Sequence, residues 1–173
     1  MKRIGILGGS FNPIHIGHLM MAQAAIEGLE LDKVIFIPAY CSPHKTERDL
    51  APASDRLKMV KLAIKHDKRF EVSDIEIRRK GTSYTYETLM DLKSKAPLDR
   101  LFFIIGEDNV KGLLDWKRIK KIFKIASFIV INRSWFDVSS SLIRDFLHRR
   151  KSIRYLTRDV VVDYILKNKL YVK

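Results

Sequence analysis

Four short runs of unbroken apolar residues constrain this chain more than anything else in it: IGIL (Ile4 to Leu7), VIFI (Val34 to Ile37), LFFII (Leu101 to Ile105) and FIVI (Phe128 to Ile131). They do not alternate with polar residues, and they are rich in β-branched and aromatic types. Each therefore reads as a strand buried on both faces of a parallel sheet. A fifth segment, Phe70 to Ile77, reads as an edge or half-exposed strand. Between the runs the period becomes helical, over about 18–29, 54–66, 83–95 and a shorter stretch within 107–123. Ser54 and Ser83 are the expected N-caps, and Pro97 closes the third helix. Two further helices are expected at 140–150 and 157–168. Strand and helix alternate, so the expected class is α/β, a doubly wound parallel sheet with a small C-terminal helical portion. The 173 residues fit one domain, with 1–133 as its core and 134–173 as its C-terminal helices.

In such sheets ligands bind beyond the carboxyl ends of the strands. The segment GGSFNPIHIGH (Gly8 to His18) occupies that place, leaving the first strand and entering the first helix. It has neither the dinucleotide G-x-G-x-x-G pattern nor the Lys-Ser/Thr of a Walker loop. Gly8 and Gly9 let backbone amides approach an anion, Ser10 and Phe11 continue the loop, and Pro13 stiffens it. His15 and His18 fall one turn apart beside the positive end of the helix dipole, with Gly17 between them, and can donate hydrogen bonds to phosphate oxygens. A second anion site is expected in DVSSSLIR (Asp137 to Arg144), where Ser139, Ser140 and Ser141 open a helix and Arg144 can fork across two phosphate oxygens.

Cys41 and His44 form a second pair at ligand-like spacing, which sets a zinc reading beside the phosphate reading of His15 and His18. Structural zinc prefers more sulfur than one cysteine offers, so no metal site is expected among the side chains. The single cysteine excludes an intramolecular disulfide framework, and the apolar start MKRIGILGG is too short for a signal peptide. With no stretch of transmembrane length, the expectation is a cytoplasmic protein with no membrane partner.

The formal net charge of +13, concentrated in KRIKKIFK (Lys117 to Lys124) and HRRKSIR (His148 to Arg154), invites a nucleic-acid reading. However, Ile119, Ile122, Phe123 and Ile125 interleave with the lysines at helical spacing, as on a solvated helix face. Basicity also suits an enzyme whose ligands are polyphosphates. With no RNA platform or DNA-reading motif in the chain, no nucleic-acid partner is expected.

The tetrapeptide HIGH is shared with class I aminoacyl-tRNA synthetases, but the KMSKS-like segment of those enzymes is absent; LKMVK (Leu57 to Lys61) lies in the wrong helix. The two phosphate motifs together resemble the H-x-G-H nucleotidyltransferases, whose adenylyltransferases carry a similar ISST-x-I-R segment. Over nearly the whole chain the resemblance is to the bacterial nicotinate mononucleotide adenylyltransferases. IPAYCSPHK (Ile37 to Lys45) is similar to their strand-end loop, GTSYTYETL (Gly81 to Leu89) to their SYT segment, and IIGEDN (Ile104 to Asn109) with Trp116 to their GADN…W arrangement. YILKNKLYV near the end is likewise similar.

The resemblance implies a Rossmann-like fold and an enzyme of NAD biosynthesis that joins ATP to nicotinate mononucleotide with Mg²⁺. It implies that His15, His18 and Arg144 are catalytic and that Gly8, Gly9, Ser10, Phe11, Gly106, Asp108, Ser139, Ser140 and Ser141 bind ATP. Lys45, Tyr84, Thr85 and Trp116 bind the mononucleotide on the same reading, the indole as platform for the pyridine ring. The rival within the superfamily is a pantetheine-phosphate adenylyltransferase of coenzyme A synthesis; outside it, the rival is a basic nucleic-acid-binding module. Three departures stand out: Asn12 replaces a frequent Asp, Glu107 replaces the usual Ala, and only Ser134, Trp135 and Phe136 separate Ile131-Asn132-Arg133 from DVSSSLIR. Preference for nicotinate over nicotinamide is not written in side-chain types, and a homo-oligomer is compatible with the chain.

Overall fold

A computed structural model describes residues 1–42, 50–132 and 138–171. Its sheet has five strands, all parallel: β1 (Arg3–Gly9), β2 (Lys33–Pro38), β3 (Phe70–Val72), β4 (Arg100–Gly106) and β5 (Ala126–Ile131), in the order β3-β2-β1-β4-β5. The helices are α1 (Ile16–Leu29), α2 (Ala53–Ile64), α3 (Ile75–Arg79), α4 (Thr85–Lys95), α5 (Ile119–Ile125), α6 (Ser140–His148) and α7 (Asp159–Lys167). The chain winds outward from β1 to β3, then crosses back to place β4 on the other flank of β1. It is a Rossmann-like α/β fold, as the unbroken apolar runs foretell.

The runs are unbroken because both faces are covered. On one face Leu7, Val34, Phe36, Phe102 and Ile104 join a cluster with α1, α2, α6 and α7; on the other Ile4, Ile6, Ile37, Phe103 and Ile105 join one with Leu89 of α4 and Ile122 of α5. Each such side chain contributes about 1.5–3 kcal/mol on burial. No helix of the described residues is long and apolar enough to cross a membrane.

Several local expectations fail. The fifth strand ends at Val72 after three pairs with β2, and the chain turns into α3. There an ion pair from Arg78 to Asp74 (2.9 Å) supports one face while Ile75 and Glu76 are buried on another, a helical division of polar and apolar residues. Pro52, not Ser54, is the N-cap of α2, and Tyr84, not Ser83, that of α4. The stretch expected as one short helix within 107–123 is two 3₁₀ turns, Glu107–Asn109 and Leu113–Asp115, followed by α5, with Arg118 left-handed (φ 61°) at the break. Both C-terminal helices are shorter than expected, because Arg150 is left-handed (φ 55°) and the Thr157 hydroxyl is spent on the Ile14 carbonyl (2.9 Å) before α7 begins.

Candidate functional site

A cleft of about 580 Å³ opens at the carboxyl ends of β1, β2 and β4. Its wall includes Gly8, Gly9, Ser10, Phe11 and His18 from the first loop and helix, Ser140 from α6, and Gly106 and Asp108 after β4. Tyr84 and Thr85 at the start of α4, with Trp116, line it as well. The two phosphate motifs, more than a hundred residues apart in sequence, meet directly. The Ser140 hydroxyl donates to the Pro13 carbonyl (2.9 Å) and the Arg144 Nη1 to the Asn12 carbonyl (2.8 Å). Ser139 is the N-cap of α6, accepting from the Leu142 amide (3.1 Å), and Ser141 accepts from the Arg144 Nη2 (3.3 Å).

The first loop is held in an unusual shape. Phe11 is left-handed (φ 45°) and the Asn12–Pro13 peptide is cis. A left-handed non-glycine residue costs about 1–3 kcal/mol. Burial of its ring, against His18 (4.9 Å between centroids) and Phe36 (5.9 Å), offsets that cost. Behind the loop Asn12 Oδ1 accepts from the Ala51 amide (2.9 Å) and the Tyr171 hydroxyl (2.7 Å).

The two histidines have different surroundings. His18 is half-buried on the cleft wall, whereas His15, 2% exposed, lies behind it with the rings 3.7 Å apart. The His15 amide donates to His18 Nδ1 (3.2 Å). A Cβ on Gly17 would sit 3.1 Å from His15 Nδ1, so the space that glycine leaves is taken by the His15 ring itself.

At the other end, Trp116 is half-buried, its ring edge-on to Phe103 (5.7 Å) and Phe128 (6.2 Å), while it also lines the cleft. The Lys117 ammonium lies 3.7 Å from the Tyr84 ring centroid and 3.3 Å from Glu87. Asp108 and Gly106 lie where β4 gives way to its 3₁₀ turn. Among the expected site residues, His15, Ser139, Ser141 and Arg144 support the wall without lining it. Lys45 and His44 lie outside the described residues, as do Ser134, Trp135 and Phe136. Among the described residues no group of three or more His, Cys, Asp or Glu side chains is gathered as metal ligands.

Two buried charged residues at the site went unread in the sequence. Arg56, 1% exposed, donates to the carbonyls of Ser10 (2.7 Å), Ala39 (2.6 Å), Tyr40 (2.9 Å) and Ala51 (2.9 Å), tying the loop after β1 to the loop after β2. Burial pushes its pKa below the usual arginine value. Glu76 lines the cleft from α3 at 7% exposure, and burial raises its carboxyl above the ordinary carboxylate range. A helical reading of residues 75–79 would have put Glu76 beside Ile75 on a buried face; the strand reading hid it. Arg56 left no comparable signal, since one basic residue in a helix that also carries Lys58 and Lys61 looks like solvated charge.

Residues 6–146 match the cytidylyltransferase-like family model. A Shouchella clausii protein named a probable nicotinate-nucleotide adenylyltransferase is 40% identical over 187 residues, covering 99% of this chain and 97% of the relative. A Clostridium acetobutylicum protein of the same name is 39% identical over 201 residues, covering 99% and 100%. Among solved structures, a Vibrio parahaemolyticus protein bearing a similarly provisional name superposes with a TM-score of 0.81 at 26% identity, over 99% of this chain and 96% of that one. The Plasmodium falciparum nicotinic acid mononucleotide adenylyltransferase complexed with NaAD shares the fold, with a TM-score of 0.80 at 22% identity over 99% and 98%.

Proposed function

We propose that this chain, which belongs to the cytidylyltransferase-like family and within it to the nicotinate-nucleotide adenylyltransferases, joins ATP to nicotinate mononucleotide to give nicotinate adenine dinucleotide and pyrophosphate. The observation that carries the reading is one cleft with two unlike ends. A glycine loop, His18 and the start of α6 stand at one end, and Trp116 with the start of α4 at the other.

A 5′-phosphate oxygen of the mononucleotide forms a bond to the α-phosphorus of ATP as the bond from that phosphorus to pyrophosphate breaks. The nucleophile is already anionic, so no base and no covalent enzyme intermediate are needed. The protein's work is in-line positioning and stabilisation of charge on the phosphoryl oxygens. His18 does the second: with Nδ1 accepting the His15 amide, the neutral ring carries its proton on Nε2, a donor for a phosphoryl oxygen. His15 holds that ring in place from behind. The amides of Gly8 to Phe11 and of Ser139 to Ser141 take the ATP phosphates. Arg144 joins them, its guanidinium having five N–H donors, more than its contacts to Asn12 and Ser141 use. Gly106 and Asp108 border the ribose of ATP. Tyr84, Thr85 and Trp116 take the nicotinate end, and Lys45 neutralises phosphate.

Mg²⁺ neutralises charge on the triphosphate oxygens when bound. It would be held chiefly through substrate phosphates and water. Substrates this polar do not cross bilayers unaided, which supports a cytoplasmic location. The test is pyrophosphate release from ATP offered with nicotinate mononucleotide, nicotinamide mononucleotide or phosphopantetheine. Turnover is expected with the first; turnover with phosphopantetheine alone would refute the reading.

A further inference from the structure

We infer that Glu76 is a positioning residue for the mononucleotide, shaping the ring-binding end of the cleft through its hydrogen bond to Thr88 and its closeness to Ser83; the inference rests on the function proposed above. Glu76 Oε1 accepts the Thr88 hydroxyl at 2.6 Å, and the Ser83 hydroxyl lies close enough to the same carboxyl to favour its charged form. Thr88 Oγ1 in turn accepts from the Arg79 Nη2 (2.9 Å), and Ser83 Oγ from the Tyr40 amide (3.0 Å). The Ser83 amide donates to the Cys41 carbonyl (2.8 Å), where Cys41 and Thr82 form an isolated parallel bridge. One carboxyl thus joins α3, the loop leaving β2 and the first turn of α4.

Tyr84 and Thr85, which line the cleft, lie between the two residues that Glu76 holds. A carboxyl taken out of water loses hydration that its partners must replace. Here both hydroxyl partners lie on the segment that receives the ring. The side chains beside its carboxyl, Thr88 and Ser83, belong neither to the phosphate loop nor to α6. A structural residue of the core would affect both ends of the cleft; Glu76 is wired to one.

The experiment is steady-state pyrophosphate release by wild type, Glu76→Ala and Glu76→Gln, varying each substrate with the other saturating. Glu76→Ala is expected to raise KM for nicotinate mononucleotide by about tenfold or more and to leave KM for ATP within about twofold. Glu76→Gln, which keeps an acceptor oxygen for Thr88, recovers most of the loss. If Glu76→Ala does not fold, Thr88→Val and its conservative partner Thr88→Ser carry the same comparison, the first raising the mononucleotide KM and the second restoring it. Unchanged KM values, or both rising together, overturn the inference alone. Wild type that fails to use nicotinate mononucleotide overturns it together with the proposed function.

Discussion

The two ends of the cleft are built differently. The phosphate end is made mostly of backbone: carbonyls of Asn12, Pro13 and Ile14 are pinned by Arg144, Ser140 and Thr157 from the C-terminal part of the chain. The ring end is made of side chains held by other side chains, Glu76, Thr88, Arg79 and Ser83, with Trp116 packed on Phe103 and Phe128. A site that stabilises moving charge needs fixed dipoles, and backbone within a folded loop supplies them without reorganisation. A site that accepts a flat ring needs a shaped gap, which side-chain packing can supply.

If that division holds, variants at the two ends should separate kinetically. The largest effect is expected for His18→Ala: a folded protein with an unchanged melting profile whose kcat falls by about 10²–10³, the loss of one donor to the phosphoryl oxygens. Near-normal turnover would remove His18 from the phosphate end. Next is Arg56→Lys, which keeps a charge but loses the fork that ties both loops. It should lower stability by about 2–4 kcal/mol in denaturant titration, since buried carbonyls lose their donors. KM for both substrates should rise together, the one change that blurs the division; a rise in one KM alone would show that Arg56 serves one end. Trp116→Ala should then raise KM for the mononucleotide about 5- to 150-fold, the span of 1–3 kcal/mol for an aromatic face against a flat heterocycle, with KM for ATP little changed.

The smallest effect concerns pH. Burial raises the pKa of the Glu76 carboxyl in the fold, so the folded chain favours its neutral form more than the unfolded chain does. Its stabilising contribution is then present in full below the unfolded carboxylate value and lost as pH rises through the raised folded value. Glu76→Gln cannot ionise. Its melting temperature relative to wild type should therefore climb between pH 4 and pH 8; a gap that stays constant would show that Glu76 does not change its charge over that range.

The same division decided what could be read from the sequence. Glycines, histidines and serines at helix starts point to the proposed phosphate site by type and spacing, and the parallel sheet is announced by runs with no polar break. Trp116, Tyr84 and Thr85 were legible as residues, but not the scaffolding behind them. Glu76 lies within Phe70 to Ile77, a segment whose sequence reads as an edge strand. The pairing that sustains a strand stops at Val72, which only the neighbouring β2 can reveal. Ser83 shows the converse: its type suits an N-cap, yet its hydroxyl serves the Tyr40 amide, a partner 43 residues away. Local propensity cannot anticipate such distant claims on a side chain.

The loop after β1 also depends on residues far along the chain. Thr157 reaches Ile14 across 143 residues and Tyr171 reaches Asn12 across 159. Contacts of such separation are costly in chain entropy and form only with the packed fold. The shape of this end of the cleft is therefore a property of the folded chain, not of the loop's own sequence.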